Sequence, residues 1–172
     1  NIAFFSTPLD PESARFLNDV QEIFKIASCD NDYDDLISEI ASFQKPIMIS
    51  TGLADAFLID KCVSTVSNKW QEISTHNAAP WLALLHCVSS YPTPADQANL
   101  KAIPALKQRY PNLVIGYSDH TLGIHAAIVA LSYGAQIVEK HFTLNKHQSD
   151  FRDHLLSADP NELTQLTTAA RE

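Results

Sequence analysis

Residues 113–123 read LVIGYSDHTLG, and the interpretation of the chain starts from them. Leu113–Gly116 is a short, apolar run that follows Pro111, and it predicts a buried parallel strand. Hydrogen-bonding side chains follow at once, and they are Tyr117, Ser118, Asp119, His120 and Thr121. Parallel α/β folds collect catalytic groups in the loops at the carboxyl ends of their strands. The stretch therefore predicts a strand that ends in a functional site.

A second stretch repeats this arrangement. Residues 136–143 read QIVEKHFT, in which a strand-like run leads into His141. Neutral imidazole is a common ligand of divalent metal ions. Because the carboxyl ends of neighbouring parallel strands share one edge of a sheet, His120 and His141 are candidate ligands of one divalent metal ion.

Apolar runs alternate with helix-like segments along the chain. Strands are predicted at Ile2–Phe5, Ile23–Ala27, Pro46–Ile49, Trp81–Cys87, 113–116 and 136–143. A first helix is predicted from Asp10-Pro11 onward, with an apolar face of Ala14, Leu17 and Val20. Further helices are predicted at Asp32–Phe43, 54–67, Asp96–Tyr110 and Leu122–Tyr133, and a last one from Asp159-Pro160. The polar segment Asn68–Ala79 is predicted to be a surface loop.

This alternation predicts successive βαβ units and a parallel sheet. A doubly wound sheet usually carries an early glycine-rich phosphate turn, but the chain has four glycines and neither GxGxxG nor GxxxxGKS. Polar groups at every strand end are typical of a (β/α)8 barrel, so the predicted fold class is α/β of the TIM-barrel type. Because about six of the eight units are present, residues 1–172 are expected to be a fragment covering strands three to eight, without the first two βα units.

Composition narrows the classes of function. The chain is 45% hydrophobic with a formal charge of −8, which predicts a folded domain and disfavours nucleic acid and anionic membranes as partners. Its apolar runs are far shorter than the roughly 20 residues of a membrane span. Cys29, Cys62 and Cys87 form no CxxC pair, which predicts free thiols and a cytoplasmic protein. Small molecules are the expected partners.

Polar residues also end the other predicted strands. They are Ser6 and Thr7 at the first, Lys25, Ser28 and Asp30 at the second, Ser50 at the third, and His86, Ser89 and Tyr91 at the fourth. Hydroxyl groups, a lysine and backbone amides donate hydrogen bonds to phosphate or carboxylate oxygens. Together with the two histidines, these residues predict an anion pocket beside a metal ion.

Seven motifs make the chain resemble the catalytic barrel of the sialic acid (N-acetylneuraminate) synthase family. They are FSTPLD at 5–10, KIAS at 25–28, KPIMISTG at 45–52, LLHCVSSYPTP at 84–94, ANLKAIPALK at 98–107, GYSDHTLG at 116–123 and EKHFTL at 139–144. The resemblance implies an enzyme that condenses phosphoenolpyruvate with an N-acetylated aminosugar aldehyde, such as N-acetylmannosamine, to give a nonulosonic acid and phosphate.

The resemblance also implies roles for single residues. His120 and His141 would bind Mn²⁺ or Mg²⁺, which polarises the aldehyde carbonyl. Asp30 stands where the family more often has a glutamate that assists proton transfer, and Lys25 is a further candidate catalytic residue. The phosphoenolpyruvate pocket would be lined by Thr7, Lys25, Ser28, Ser50, Ser89 and Ser118, and the sugar would contact Tyr91 and Asp153.

The resemblance further implies parts that residues 1–172 lack. Family members add two amino-terminal strands and a carboxyl-terminal antifreeze-like domain, which closes the site of the other subunit in a homodimer. Residues 1–172 alone are therefore expected to have little or no activity. The acceptor stays open between N-acetylmannosamine, its 6-phosphate and a diacetamido sugar.

Other interpretations stay open at this point. A pyruvate-dependent Schiff-base aldolase would use Lys25 or Lys140 as its nucleophile, and an inactive fragment could serve as a scaffold. Alternation along the strand predicts Lys140 on the face opposite to Glu139 and His141. Glu139 would either support the metal site or form a core ion pair. His86 is expected to be structural because it lies inside a predicted strand.

Overall fold

A computed structural model of the chain describes residues 2–73 and 80–172. Within them lie the strands β1 (Phe24–Ile26), β2 (Ile47–Ser50), β3 (Leu82–Cys87), β4 (Val114–Asp119) and β5 (Ile137–Lys140). The α-helices are α1 (Pro11–Asn18), α2 (Asp34–Ser42), α3 (Ala56–Ile73), α4 (Ala102–Arg109), α5 (His125–Ser132), α6 (Arg152–Leu156) and α7 (Pro160–Ala169). The strands form a sheet in the order β1-β2-β3-β4-β5. The predicted α/β class with a parallel sheet is confirmed.

The chain divides into two compact units, and the first spans Asn1–Leu84. Its strands β1 and β2 pair in parallel, with Lys25 opposite Met48. Every residue of both strands is buried, as is typical of parallel strands that are covered on two faces. Helix α1 begins where predicted, because Asp10 accepts a hydrogen bond of 2.8 Å from the Ser13 amide and Pro11 suits the first helical position.

The second unit spans Leu85–Glu172. Strands β4 and β5 pair in parallel, with Ser118 opposite Glu139 and Asp119 opposite Lys140. Buried side chains of Ile124, Ala127 and Leu166 pack together around α5 and α7. Helix α7 begins at the predicted Asp159-Pro160, where Asp159 and Glu162 form a capping box.

The predicted strand at Ile2–Phe5 is wrong. These residues are not in a strand, and Ile2 is 97% exposed. An apolar pattern predicts which side chains could be buried, but a strand also needs a neighbour that accepts its backbone hydrogen bonds. Among the described strands, the sheet begins at β1 instead.

Helix boundaries also differ from the prediction. Residues 68–73, predicted as loop, continue α3 because Trp70 extends the buried spacing of Ile59, Cys62 and Val66, while residues 74–79 of that loop lie outside the described residues. Helix α1 ends at Asn18, so Val20 is exposed and does not share its apolar face. Asp96 lies in a short 3-10 turn, so α4 begins later, at Ala102.

No helix within the described residues combines the length and apolar character needed to cross a membrane. The three cysteines are free thiols, as predicted, with Cys29 exposed and the other two buried.

Candidate active site

The carboxyl ends of β4 and β5 bring two histidines together. Because Asp119 pairs with Lys140, the next residues along the two strands are His120 and His141. Their ring centroids lie 5.3 Å apart and their planes are inclined by 58°. The strand-end positions read from the sequence therefore meet within the second unit.

The ring of His120 has a backbone carbonyl as its partner at Nδ1. Its Nδ1 atom lies 3.0 Å from the carbonyl oxygen of Val88, and a carbonyl oxygen can only accept a hydrogen bond. This contact favours the tautomer that donates from Nδ1, in which Nε2 is available as a ligand. His120 is buried, and its backbone oxygen accepts a further hydrogen bond of 2.9 Å from the Thr93 amide.

Tyr91, Arg152 and Asp153 surround the histidine pair. The Tyr91 ring lies 4.0 Å from the His120 ring and 5.9 Å from the His141 ring, between centroids. The Cζ atom of Arg152 lies 4.8 Å from the centroid of the same Tyr91 ring. Burial raises the pKa of the Tyr91 phenol, so this group stays neutral at physiological pH.

Asp153 approaches His141 without a hydrogen bond. Its Oδ2 atom is 3.7 Å from Nδ1 of His141, and its Oδ1 atom is 3.5 Å from Nε of Arg152. The Oδ1 atom is buried and accepts no hydrogen bond from residues 2–73 or 80–172. Such an acceptor is costly when it is left unpaired, so this carboxylate suits a hydroxyl group of a bound ligand.

The histidine pair fits a divalent cation. Imidazole nitrogens bind metal ions at about 2.1 Å, which places the ring centres of two ligands on a shared ion roughly 4.5–5.5 Å apart. No cluster of three or more histidine, cysteine, aspartate and glutamate side chains suited to a metal is found in the part of the chain that the structure describes. A cation held by these two imidazoles would have further coordination positions to fill, with water or with substrate oxygen.

Ser118 and Glu139 contact each other on the same side of the strands. The Ser118 hydroxyl donates a hydrogen bond of 2.7 Å to Oε1 of Glu139. The Glu139 carboxylate thus holds a hydroxyl group that was predicted to line the substrate pocket, and its role, either in support of the metal site or in a core ion pair, stays a prediction.

Asp119 is a residue whose role the sequence reasoning missed. Its carboxylate forms a buried ion pair with Lys140, at 2.9 Å from Oδ2 to Nζ. Lys140 thus lies on the face opposite to Glu139, in agreement with the strand alternation, and its partner there is a carboxylate. The sequence held one signal for this role, which is the aspartate directly before His120. Aspartate side chains commonly accept a hydrogen bond from the backbone amide two residues further along the chain.

In the first unit, the loops after β1 and β2 are joined. The Ser28 hydroxyl accepts a hydrogen bond of 3.0 Å from the Gly52 amide. Asn31, which was not predicted to have a role, donates to the carbonyl oxygens of Ser50 and Gly52 at 3.3 and 3.0 Å. The Ser50 hydroxyl is buried without a hydrogen-bond partner, so the predicted pocket residue has capacity left for a ligand.

The remaining candidates of the first unit lie near these loops or before α1. Lys25 is buried, and its Nζ atom donates to the carbonyl oxygen of Ile26 at 3.1 Å. Asp30 ends the short 3-10 turn Ser28–Asp30, where it accepts a hydrogen bond from the Cys29 thiol. Thr7 is half-buried and lines a shallow groove beside α1.

Two residues of β3 and its following loop differ in environment. Ser89 is exposed, two residues before Tyr91. His86 is buried, and its Nε2 atom donates to the carbonyl oxygen of Ala98 at 2.8 Å. Burial lowers the pKa of His86, which is therefore a neutral, hydrogen-bonded core residue, as the sequence indicated.

Comparison with known proteins relates the chain to one family of enzymes. The profile of the NeuB family matches residues 1–172. The N,N'-diacetyllegionaminic acid synthase of Campylobacter jejuni is 40% identical over 173 residues, which cover 100% of this chain and 49% of that enzyme. The N-acetylneuraminate-9-phosphate synthase of Drosophila melanogaster is 39% identical over 170 residues, which cover 98% of this chain and 43% of that enzyme.

A solved structure agrees with these matches. The N-acetylneuraminic acid (sialic acid) synthetase of Leptospira borgpetersenii, crystallised with citrate, superposes with a TM-score of 0.90 at 40% identity, over 99% of this chain and 56% of that one. The chain thus spans about half the length of the relatives that it matches.

Proposed function

The chain belongs to the NeuB family, and we propose on that basis that it carries catalytic residues of a synthase that joins phosphoenolpyruvate to an N-acetylated aminosugar aldehyde. Relatives in this family are named as synthases of sialic and legionaminic acids, which are nonulosonic acids. The proposed products are a nonulosonic acid and inorganic phosphate.

The proposed reaction forms one carbon–carbon bond. C3 of phosphoenolpyruvate attacks the aldehyde carbon, and the aldehyde oxygen takes up a proton. A water molecule adds its oxygen to C2, and the C2–O bond to the phosphate group breaks. Phosphate leaves with the electron pair of that bond, and loss of the second water proton makes C2 a keto carbon. C2 becomes the anomeric carbon when a hydroxyl group of the product adds to it and closes the ring.

His120 and His141 are the proposed holders of a divalent cation. The observation that carries this proposal is the 5.3 Å separation of the two ring centroids, together with the 3.0 Å contact from His120 Nδ1 to the Val88 carbonyl, which leaves Nε2 available as a ligand. Such a cation would supply Lewis-acid polarisation of the aldehyde carbonyl. Imidazole ligands favour Mn²⁺ over Mg²⁺, because Mg²⁺ strongly prefers oxygen ligands.

The loops after β1 and β2 are the proposed anion-binding part. Lys25 contributes a positive charge, and Ser28 and Ser50 contribute hydroxyl groups, of which the Ser50 group has no hydrogen-bond partner among the described residues. Phosphate and carboxylate oxygens accept hydrogen bonds from such donors. Asp30 is the proposed group for proton transfer. Thr7, Ser89 and Ser118 complete the proposed set for phosphoenolpyruvate.

Tyr91 and Asp153 are the proposed contacts of the sugar. A half-buried aromatic face packs against the apolar side of a sugar ring, and the Asp153 Oδ1 atom can accept a hydrogen bond from a sugar hydroxyl. Arg152 adds a guanidinium group to the same place. These groups suit a polyhydroxylated acceptor with a polar substituent.

The Schiff-base alternative finds no support at Lys140. A Schiff-base lysine must reach the substrate carbonyl, but the Lys140 Nζ atom is buried and is already bound to the Asp119 carboxylate at 2.9 Å and to the Thr121 carbonyl oxygen at 2.5 Å.

The deciding experiment measures phosphate release from phosphoenolpyruvate by the whole protein. Acceptors are N-acetylmannosamine, its 6-phosphate and a diacetamido sugar, each after chelator treatment and after addition of Mn²⁺. We expect release with one acceptor, and we expect Mn²⁺ to restore it. Failure with every acceptor in a folded protein with bound Mn²⁺ would overturn the proposal, and so would borohydride trapping of pyruvate on Lys25.

A further inference from the structure

We infer that the buried ion pair between Asp119 and Lys140 is a positioning device for the two histidines. The inference rests on the proposed metal-binding role of His120 and His141. Asp119 directly precedes one histidine, and Lys140 directly precedes the other. The pair therefore joins two strands one residue before each proposed ligand.

The Asp119 carboxylate closes a turn around His120. Its Oδ1 atom accepts hydrogen bonds from the Thr121 amide at 2.8 Å and from the Tyr117 hydroxyl at 3.1 Å. The hydrogen bond from the Thr121 amide closes a ring of atoms that runs from the Asp119 side chain through the backbone of His120. The direction in which the His120 side chain leaves the strand thus depends on the Asp119 carboxylate.

Lys140 fixes the same turn from the neighbouring strand. Its Nζ atom donates to Oδ2 of Asp119 at 2.9 Å and to the carbonyl oxygen of Thr121 at 2.5 Å. Thr121 is consequently held at both its amide and its carbonyl group. The residue after His120 is tied to the residue before His141, and this contact couples the positions of the two rings.

The ion pair also specifies the register of the strands. In the observed register, Ser118 contacts Glu139 on one face, and Asp119 contacts Lys140 on the other. A slip of one residue would place Lys140 on the face of Ser118 and would leave the buried Asp119 carboxylate opposite Glu139 or His141, without its lysine partner. His141 would then no longer lie across from His120.

Stability alone does not explain the pair. The two side chains are 4% and 0% exposed, and burial removes both charges from water. A buried ion pair is often no more stable than apolar residues of similar size, whereas losing one partner leaves an unpaired charge. The best-attested use of such pairs is to fix one arrangement of the chain.

The test separates positioning from stability by comparing single and double substitutions. The variants are Asp119→Asn, Lys140→Met and the apolar double variant Asp119→Leu with Lys140→Met, all made in the whole protein. Mn²⁺ affinity is measured from the electron paramagnetic resonance signal of free Mn²⁺, and folding from thermal melting. Turnover with saturating Mn²⁺ is a third readout.

We expect the single variants to bind Mn²⁺ about 10- to 100-fold more weakly, which is the usual effect of losing groups that orient metal ligands. We expect the double variant to regain the melting temperature but not the Mn²⁺ affinity. Lys146→Met is the matched control, because it breaks an ion pair with Glu162 in the same unit and is expected to leave Mn²⁺ affinity unchanged.

Two results would overturn the inference. One is a double variant with wild-type Mn²⁺ affinity, and the other is single variants that melt earlier but bind Mn²⁺ normally. Failure of the proposed function has a different signature, because the wild-type protein itself would then bind no Mn²⁺ or release no phosphate.

Discussion

The guanidinium group of Arg152 lies over the aromatic ring of Tyr91, with 4.8 Å between Cζ and the ring centroid. Contacts of this kind join an electrostatic attraction to a fixed geometry, so the arginine also limits where the ring can move. Since the same ring packs against His120, Arg152 connects the exposed rim of the site to the histidine pair.

Replacing Arg152 by alanine is expected to affect the aminosugar more than phosphoenolpyruvate. The Tyr91 ring would lose its outer contact, and Asp153 would lose a neighbouring positive charge. We expect the KM of the acceptor to rise about tenfold, equivalent to about 1.4 kcal/mol, with the KM of phosphoenolpyruvate nearly unchanged. Steady-state kinetics with each substrate varied in turn provide the measurement.

The chain offers a matched control for this substitution. Arg109 lies over the Tyr110 ring at 5.8 Å, and no role in the site is proposed for it. Arg109→Ala is expected to leave both KM values unchanged. An equal rise of both constants in Arg152→Ala would show that the arginine supports the fold instead of the acceptor.

Removing either proposed ligand is expected to weaken metal binding strongly. His120→Ala and His141→Ala each leave a single imidazole, so we expect Mn²⁺ affinity to fall by at least about 100-fold and turnover to fall with it. His125, an exposed residue at the start of α5, is the control, and His125→Ala is expected to bind Mn²⁺ normally. Unchanged Mn²⁺ affinity in His120→Ala would contradict the proposed site.

Stability is expected to fall as the pH drops below about 6.5. Burial lowers the pKa of His86 in the folded state, so the unfolded state binds its proton more readily. The contribution of His86 is complete above the unfolded pKa and is lost as the pH falls through it. For one proton the slope cannot exceed about 1.4 kcal/mol per pH unit. Urea midpoints at pH 7.5 and 5.5 measure this change.

The control for the pH effect is His86→Gln, which keeps a donor near the Ala98 carbonyl but cannot take up a proton. This variant should lose less stability between the two pH values than the wild type does. An identical loss in both proteins would assign the effect to other groups.

The thiols are expected to differ strongly in reactivity. Burial raises the pKa of Cys62 to about 11, and its thiol donates a hydrogen bond of 2.8 Å to the carbonyl oxygen of Asn31. At pH 8 the reactive thiolate is therefore scarce as well as inaccessible. We expect iodoacetamide to modify the exposed Cys29 first and Cys62 only after unfolding, as followed by mass spectrometry of peptides. Equal rates would contradict this assignment.

The sequence predicted the parts of the fold that depend on hydrophobic pattern. Strands at Phe24–Ile26 and Leu82–Cys87 and the capped starts of α1 and α7 are confirmed, because burial and end-capping are local properties of the chain. Ile2–Phe5 failed because strand formation depends on a partner that a local pattern does not describe.

The residues of the site also fall into those that the sequence predicted and those that it did not. His120 and His141 were placed at adjacent strand ends by the sequence, and their rings lie 5.3 Å apart, although metal binding by them stays a prediction. Asn31 and Arg152 were not singled out and Asp119 was given no role, because their partners are backbone groups, a lysine of the neighbouring strand and an aromatic ring that only folding brings near. Polar residues that orient others are thus the hardest to find from one sequence.

Strands β1 and β5 are the outermost members of the described sheet, and each pairs with a single neighbour there. The outer side of such a strand offers a row of backbone donors and acceptors that any extended peptide can satisfy. Residues 1–172 by themselves should accordingly be prone to aggregation at high protein concentration. A soluble fusion partner or a low protein concentration would counter this tendency. Side-chain substitutions would not remove it, because it originates in the backbone groups of the outer strands.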